Sequence, residues 1–181
     1  IPDNVITAGS DAFAFCSNLV EVNIGKGLTE ISEYMFAGCP LTSVVIPDNI
    51  TSINSRAFYD CDYLETITIG NGVSVISYRA FESTPLKNVY INDLSAWCKI
   101  DFDGTPFDYN IGNLYLNGEL LTELVIPEDV TEIKDYVFYG CSSITKVTIP
   151  KHVISIDNAA FNSSSVTEVY VYGSGNTSIA R

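Results

Sequence analysis

The stretch IPDNITSINSRAFYDCDYLETITI, residues 46–69, decides the fold, because most of the remaining chain repeats it. Pro47 stands eleven residues before Phe58, Ile50 eight before it and Ile53 five before it. After the Phe come Leu64, Ile67 and Ile69. Working outward in both directions, the same spacing recurs around Phe13, Phe36, Phe81, Phe138 and Phe161, with gaps of 23, 22, 23, 57 and 23 residues along the six. The turning position reads Pro2, Gly25, Pro47, Gly70, Pro127 and Pro150. The aliphatic positions read Val5, Leu28, Ile50, Val73, Val130, Val153 and Ala8, Ile31, Ile53, Ile76, Ile133, Ile156. The trailing triplet returns as Leu19, Val22, Ile24 and, one residue earlier, as Leu41, Val44, Ile46, so repeats of 22 and 23 residues alternate. A period this short specifies a stack of coils, each burying its apolar side against the next.

One coil can be built from its periods. The triplet ends in two apolar residues spaced by two, which is strand alternation. Pro or Gly then stops the strand. A second extended piece follows, clearest as VTEI at 130–133. Next comes a turn or short helix carrying the Phe, opened by a capping residue such as Ser32, Asn54, Ser77 or Asp157. The predicted fold is α/β and β-dominated: a solenoid with a parallel main sheet, short second extended strands and short helical turns. Seven main strands are expected in one ladder, ending near Ile24, Ile46, Ile69, Ile91, Ile126, Ile149 and Val171, with the six Phe residues in single file.

Composition narrows the function. At 181 residues the chain fits one domain with a continuous core. It is 46% hydrophobic and 17% charged, which rules out a disordered tail. Nine Lys and Arg face 22 Asp and Glu, a net charge of −13 that repels nucleic-acid backbones and anionic lipid surfaces. No apolar run approaches the ~20 residues of a membrane span, and no basic-then-apolar signal opens the chain.

The residues also carry a family likeness. The pattern x-I-P-x-x-V-T-x-I-x-x-x-A-F-x-x-C-x-x-L-x-x-V-x-I, as written at 46–69, resembles the BspA-like, Treponema-type leucine-rich repeat. The segment DLSAWCKIDF…NLYLNGELLTELVIP, 93–127, resembles a divergent module that recurs in such arrays. The likeness implies a right-handed leucine-rich-repeat solenoid from a secreted or surface-attached, mostly bacterial protein. It further implies adhesion to host or microbial proteins, and it brings no shared catalytic residues.

The array is read as one domain over 1–181, with regular repeats at 1–91 and 127–171 and a divergent 35-residue repeat at 92–126. Asp93 followed by Leu94, Trp97, Cys98 and Ile100 predicts a short amphipathic helix. LYL-NG-ELL at 114–121 predicts a hairpin on a type I′ turn at Asn117-Gly118. The helix is expected to cover the core and the hairpin to project, which would offer a contact; local reinforcement of the stack is the plainer alternative. At the ends, Ile1-Pro2 resembles a strand tail and NTSIAR at 176–181 another second strand, so a fragment of a longer array is expected.

The reactive residues suggest little chemistry. Cys16, Cys39, Cys61 and Cys141 stand three residues after the repeat Phe, where Thr84 and Ser164 substitute, which marks a small buried position tolerating a weak donor. Cys98 is expected in the core. A metal site would want paired Cys or clustered His, and His152, expected in a solvated turn, is the sole His. Asp101, Asp103 and Asp108 with Gly104 depart from calcium-loop order and lack the closing Glu. Asn49-Ile-Thr51, Asn162-Ser-Ser164 and Asn176-Thr-Ser178 match the glycosylation sequon, a cheap match in this composition. No cofactor, metal or catalytic group is expected.

That leaves the outward face of the main sheet. The residue between two inward apolar positions points out, giving one column of Asn23, Val45, Thr68, Tyr90, Val125, Thr148 and Tyr170. The neighbouring column is Glu21, Ser43, Thr66, Asn88, Glu123, Lys146 and Glu168. Exposed Tyr and Val among hydroxyls and isolated charges suit contact with proteins. The candidate binding residues are Val45, Tyr90, Val125 and Tyr170, with Glu123 and Lys146 beside them. Tyr90, next to the irregular repeat, would fail as an anchor if buried beneath the helix or hairpin. The expected function is a non-enzymatic, monomeric adhesion or protein-interaction module, with glycans as a further partner class. The alternative is a structural spacer displaying another domain.

Overall fold

The computed structural model describes residues 1–105, 107, 111–172 and the backbone of 178–179. In chain order its elements are β1 (Glu30–Ile31), β2 (Ser43–Ile46), β3 (Ser52–Ile53), β4 (Thr66–Ile69), β5 (Val75–Ile76) and β6 (Asn88–Ile91). Then come α1 (Leu94–Cys98), β7 (Asp101–Phe102), β8 (Asn113–Leu116), β9 (Glu119–Leu120) and β10 (Glu123–Val125). The last are β11 (Glu132–Ile133), β12 (Lys146–Ile149), β13 (Ser155–Ile156), β14 (Glu168–Val171) and β15 (Ser178–Ile179).

Each coil has three sides, and the repeat assigns a residue type to each. The four-residue strands stack in parallel, Val44 beside Ile67 and Ile46 beside Ile69, all buried. The two-residue strands form a second parallel side, Ile31 beside Ile53 beside Ile76. The third side is a turn carrying the Phe rings, which stack face to face with centroids 5.7, 5.5 and 5.3 Å apart from Phe13 to Phe81. Gly stands at two of the first turns, Gly25 and Gly70, because coils approach closely there: a Cβ on Gly70 would lie 2.6 Å from the Ile46 carbonyl oxygen, which no side chain tolerates.

The Phe turns are successive four-residue turns, closed by bonds such as Ala57 N–H to Asn54 O and Tyr59 N–H to Arg56 O. Residues two before and two after each regular Phe adopt positive φ, Arg56 at 54° and Asp60 at 57° around Phe58. The N–H groups of Tyr34, Phe36 and Gly38 thereby leave their own coil and donate to Ser55, Ala57 and Tyr59 of the next. The turn side is therefore a third ladder, and its donors all point one way along the stack.

The expectation of one seven-strand ladder is corrected by the irregular coil. The main sheet is two sheets, β2-β4-β6-β8-β9 and β10-β12-β14, and no strand is assigned around Ile24. The second side divides at the same level into β1-β3-β5-β7 and β11-β13-β15. The Phe file gains a member there: Phe107 stacks on Phe81 at 5.1 Å, and Phe138 starts a separate stack with Phe161 at 5.2 Å. Phe13 and Phe161, in the first and last coils, are only half-buried.

The hairpin forms as expected, Asn117 and Gly118 taking φ of 53° and 84° between antiparallel β8 and β9. Its first arm does not project. β8 is a rung of the main sheet, paired in parallel with β6 in the register Val89–Leu114 and Ile91–Leu116. The extra residues thus complete a coil of their own before the chain doubles back into β9 and resumes at β10. The helix also forms, with the Asp93 carboxylate accepting the Ala96 N–H at 3.0 Å and Trp97 and Cys98 buried.

Side chains and loops join the two stacks where strands do not. The Trp97 indole N–H donates to Val137 O at 3.0 Å, and Leu114 N–H to Ser143 Oγ at 3.1 Å. Ser142 N–H donates to Gly112 O at 2.7 Å beside a parallel bridge between Gly112 and Cys141. Asp129 accepts from Ser95 and Lys99, and Lys134 reaches Lys99 O and Asp101. One apolar core runs through both stacks, from Leu28 to Ala160.

Candidate functional site

The outward columns are set by register. On the first sheet Ser43, Thr66, Asn88 and Asn113 stand side by side, and so do Val45, Thr68, Tyr90 and Tyr115. Pleating points them out because their neighbours Val44, Ile67, Val89 and Leu114 are buried. Val45 is 62% exposed. Tyr90 lies under neither the helix nor the hairpin arm; it is half-buried because its ring stacks on Tyr115, centroids 4.5 Å apart and planes within 13°. Beside this pair the Asn113 amide donates to Asn88 Oδ1 at 3.2 Å. Leu120, opposite Tyr115 on the hairpin, is 44% exposed.

The second sheet sets Glu123, Lys146 and Glu168 in one column and Val125, Thr148 and Tyr170 in the other. Val125 is 57% exposed and Tyr170 42%. Lys146 Nζ sits 3.6 Å from the Glu123 carboxylate and 5.3 Å from the Tyr170 ring centroid. The Tyr170 hydroxyl donates to Glu168 at 2.9 Å, and that carboxylate pushes the phenol pKa upward. These polar groups hold one another, weakly in so exposed a place.

The six candidates therefore fall into two groups. Val45 and Tyr90 share the first sheet, two rungs apart, while Glu123, Val125, Lys146 and Tyr170 share the second. Tyr90 and Tyr170, expected in one ladder, are not. Tyr115 was missed as a member of the face because its segment was read as a projecting hairpin. The signal was present: Leu114-Tyr115-Leu116 repeats Val89-Tyr90-Ile91 at an offset of 25, and Phe107 follows Phe81 by 26.

The cysteine ladder behaves as a row of donors. Cys39 Sγ approaches Phe13 O at 3.1 Å and Cys61 Sγ approaches Phe36 O at 3.2 Å. Thr84 Oγ1 donates to Phe58 O at 2.5 Å, which explains the exchange of Cys for Thr. Burial pushes the Cys61 and Cys98 thiols up to about 12. Cys16, expected to be buried, is exposed, because it lies in the first coil; all five thiols are free.

His152, expected to be solvated, is half-buried, with Nε2 2.9 Å from Pro127 O of the previous coil. Asp101 is engaged by Lys134, and Asp108 lies outside the described residues, as does Asn176. The Asn49 amide is committed to Leu28 O at 2.6 Å and Gly25 O at 3.2 Å. Among the described residues no group of His, Cys, Asp and Glu is placed to hold a metal, and no helix is long and apolar enough to cross a membrane.

Comparison with known proteins places this geometry. A family model, the BspA type leucine rich repeat region, matches in six copies over residues 1–102 and 109–180. No protein of curated function matches the chain. Among solved structures, the pneumococcal vaccine antigen PcpA is similar with a TM-score of 0.51 and 16% identity, over 94% of this chain and 49% of that one. A leucine rich cell surface protein of Faecalibacterium prausnitzii matches with a TM-score of 0.42 and 23% identity, over 93% of this chain and 64% of that one. A leucine-rich repeat protein of Bacteroides ovatus matches with a TM-score of 0.43 and 22% identity, over 94% and 53% respectively. The chain thus spans about half to two thirds of the length of these proteins.

Proposed function

This chain belongs to the BspA-type leucine-rich-repeat family, and from that premise we propose that it is a non-enzymatic binding module of a secreted or cell-surface protein. It mediates adhesion or protein–protein interaction, as a monomer, against proteins of a host or microbial surface. The observation that carries this reading is the outward main-sheet face. Val45, Val125 and Tyr170 stand exposed there; the strands of Val45 and Val125 have their other side locked in the core, whereas β14, which carries Tyr170, also exposes Val169 and Val171. Anchors held rigidly lose little entropy on binding, and aromatic and apolar groups supply most contact energy. That two of the similar structures are described as a vaccine antigen and a cell surface protein supports a location outside the cell.

The test is capture of surface proteins by the immobilised chain, compared across Val45→Asp, Val125→Asp and Tyr170→Ala. Each is expected to weaken capture by ~1 kcal/mol or more, about fivefold, with an unchanged melting temperature. Capture that is unaltered in the triple variant would sink this reading.

A second reading, a spacer that displays another domain, has one observation in its favour: Glu123, Lys146, Glu168 and Tyr170 already satisfy one another. It is the reading that remains if the immobilised chain captures no surface protein.

A further inference from the structure

Charge is unevenly placed on this molecule. The net charge is −13, and the Lys87–Glu65 ion pair stands directly beside the main sheet. Yet across four successive rungs, β2, β4, β6 and β8, the outward columns contain no Asp, Glu, Lys or Arg. The corresponding positions on the second sheet carry Glu123, Lys146 and Glu168. The same strip is rich in uncommitted polar groups. Among the described residues the hydroxyls of Ser43, Thr66, Thr68, Tyr90 and Tyr115 have no hydrogen-bond partner, and the Asn88 amide nitrogen has none either, although its oxygen accepts from Asn113. The stacked tyrosines rise beside the small Thr66 and Thr68 rung and form an aromatic step above it.

We propose that this uncharged strip binds a neutral glycan chain. The proposal rests on the reading of the sheet face as a binding surface and narrows it for the rungs between residues 43 and 116. Hydroxyl groups both donate and accept, so a row of them pairs with sugar hydroxyls in either sense. The π face of Tyr90 that looks over Thr68 offers an apolar wall to the C–H side of a sugar ring. Rungs recur every ~4.8 Å, comparable to the length of one sugar unit, so a linear chain can meet successive rungs with like contacts. Charge decides between partner classes. Binding a neutral ligand here requires no ion to lose its water, which is the costly step at a polar surface. An anionic polysaccharide would be repelled by the net charge.

The test is electrophoresis of the full chain through gels cast with dextran, yeast mannan or a soluble β-glucan, with heparin as the anionic control. Retardation by at least one neutral polysaccharide is expected, and added salt should leave it unchanged. Thr68→Glu, which puts a carboxylate in the strip without touching the aromatic stack, should weaken it about fivefold or more. Tyr90→Ala combined with Tyr115→Ala should do the same, and Val125→Asp should have no effect. The proposal is overturned if no neutral polysaccharide retards the chain, if retardation survives both Thr68→Glu and the double Tyr variant, or if heparin alone retards it. Should proteins still be captured through Val125 and Tyr170 in that case, only the glycan assignment falls. If capture also ignores those residues, the binding-face reading falls with it.

Discussion

Asp60 is a residue in an uncomfortable backbone conformation whose counterparts in two other coils, Gly38 and Gly140, are glycines. Its φ of 57° is left-handed, costly for a side chain and cheap for glycine. Asp60→Gly should therefore stabilise the fold by up to about 1 kcal/mol, the left-handed cost of a side chain less the greater backbone freedom that glycine loses on folding, readable as a higher melting temperature; a lower one would mean the Asp60 side chain supports the turn. Phe58, stacked between Phe36 and Phe81 and fully buried, should cost roughly 3–5 kcal/mol when changed to Ala, measured by denaturant unfolding. Thiol reagents should label only Cys16 in the native chain and all five cysteines after denaturation, because burial holds thiols such as Cys61 and Cys98 in their unreactive protonated form. Rapid native labelling of Cys61 would contradict the ladder. The repeated spacing foretold that Phe58 and Cys61 pack, since packing follows the period, but not the exposure of Cys16 in the first coil. It did not foretell the left-handed pairs around each Phe, because residues as different as Tyr34, Arg56 and Ala159 adopt that conformation. Inter-coil hydrogen bonds impose it rather than any local preference.

At the scale of elements, α1 shows how a short helix is held. Five residues cannot sustain a helix by propensity alone, so Asp93 caps it, Trp97 anchors it in the core, and Ser95 and Lys99 fasten its outer side to Asp129. Lys99 first and Ser95 second hold the Asp129 carboxyl at about 2, below its ordinary 3.8. A depressed folded value means the contribution is complete above the ordinary value and is lost as pH falls toward the folded one. The melting-temperature difference between wild type and Asp129→Asn should therefore be constant near neutral pH and vanish as pH drops from about 5 to about 2. A difference that persists at the acid end would assign the effect to packing. Helix and hairpin were both legible from their own signals, the cap spacing after Asp93 and the Asn117-Gly118 pair. The place of β8 was not, because strand propensity in LYL cannot say whether an arm lies inside a ladder or outside it. The spacing of Phe107 after Phe81 and of Leu114-Tyr115-Leu116 after Val89-Tyr90-Ile91 reveals that, and with it Tyr115 as part of the face.

Over the whole molecule, one level of the stack differs from every other. Both sheets and the Phe file are interrupted there, and the join relies on Trp97, Ser143, Asp129 and Lys134. Stacked repeats gain cooperativity from each interface, so this join is where unfolding should divide. Trp97→Phe keeps most of the buried ring and removes the bond to Val137 O. In that variant, hydrogen exchange should show the amides of residues 127–172 opening before those of 28–91, whereas uniform opening would mean the join is as strong as any other. A single repeating pattern in sequence hid this division, since each half obeys the same spacing. The third ladder carries a consequence of another kind. Its donors all face along one direction of the stack, from Tyr34, Phe36 and Gly38 toward the following coil. A gene lengthened by tandem duplication keeps that polarity, and every new donor meets a carbonyl. A unit joined in the opposite sense would set N–H against N–H on this side, so lineages of such arrays can change their number of coils freely but cannot reverse the sense of any one of them.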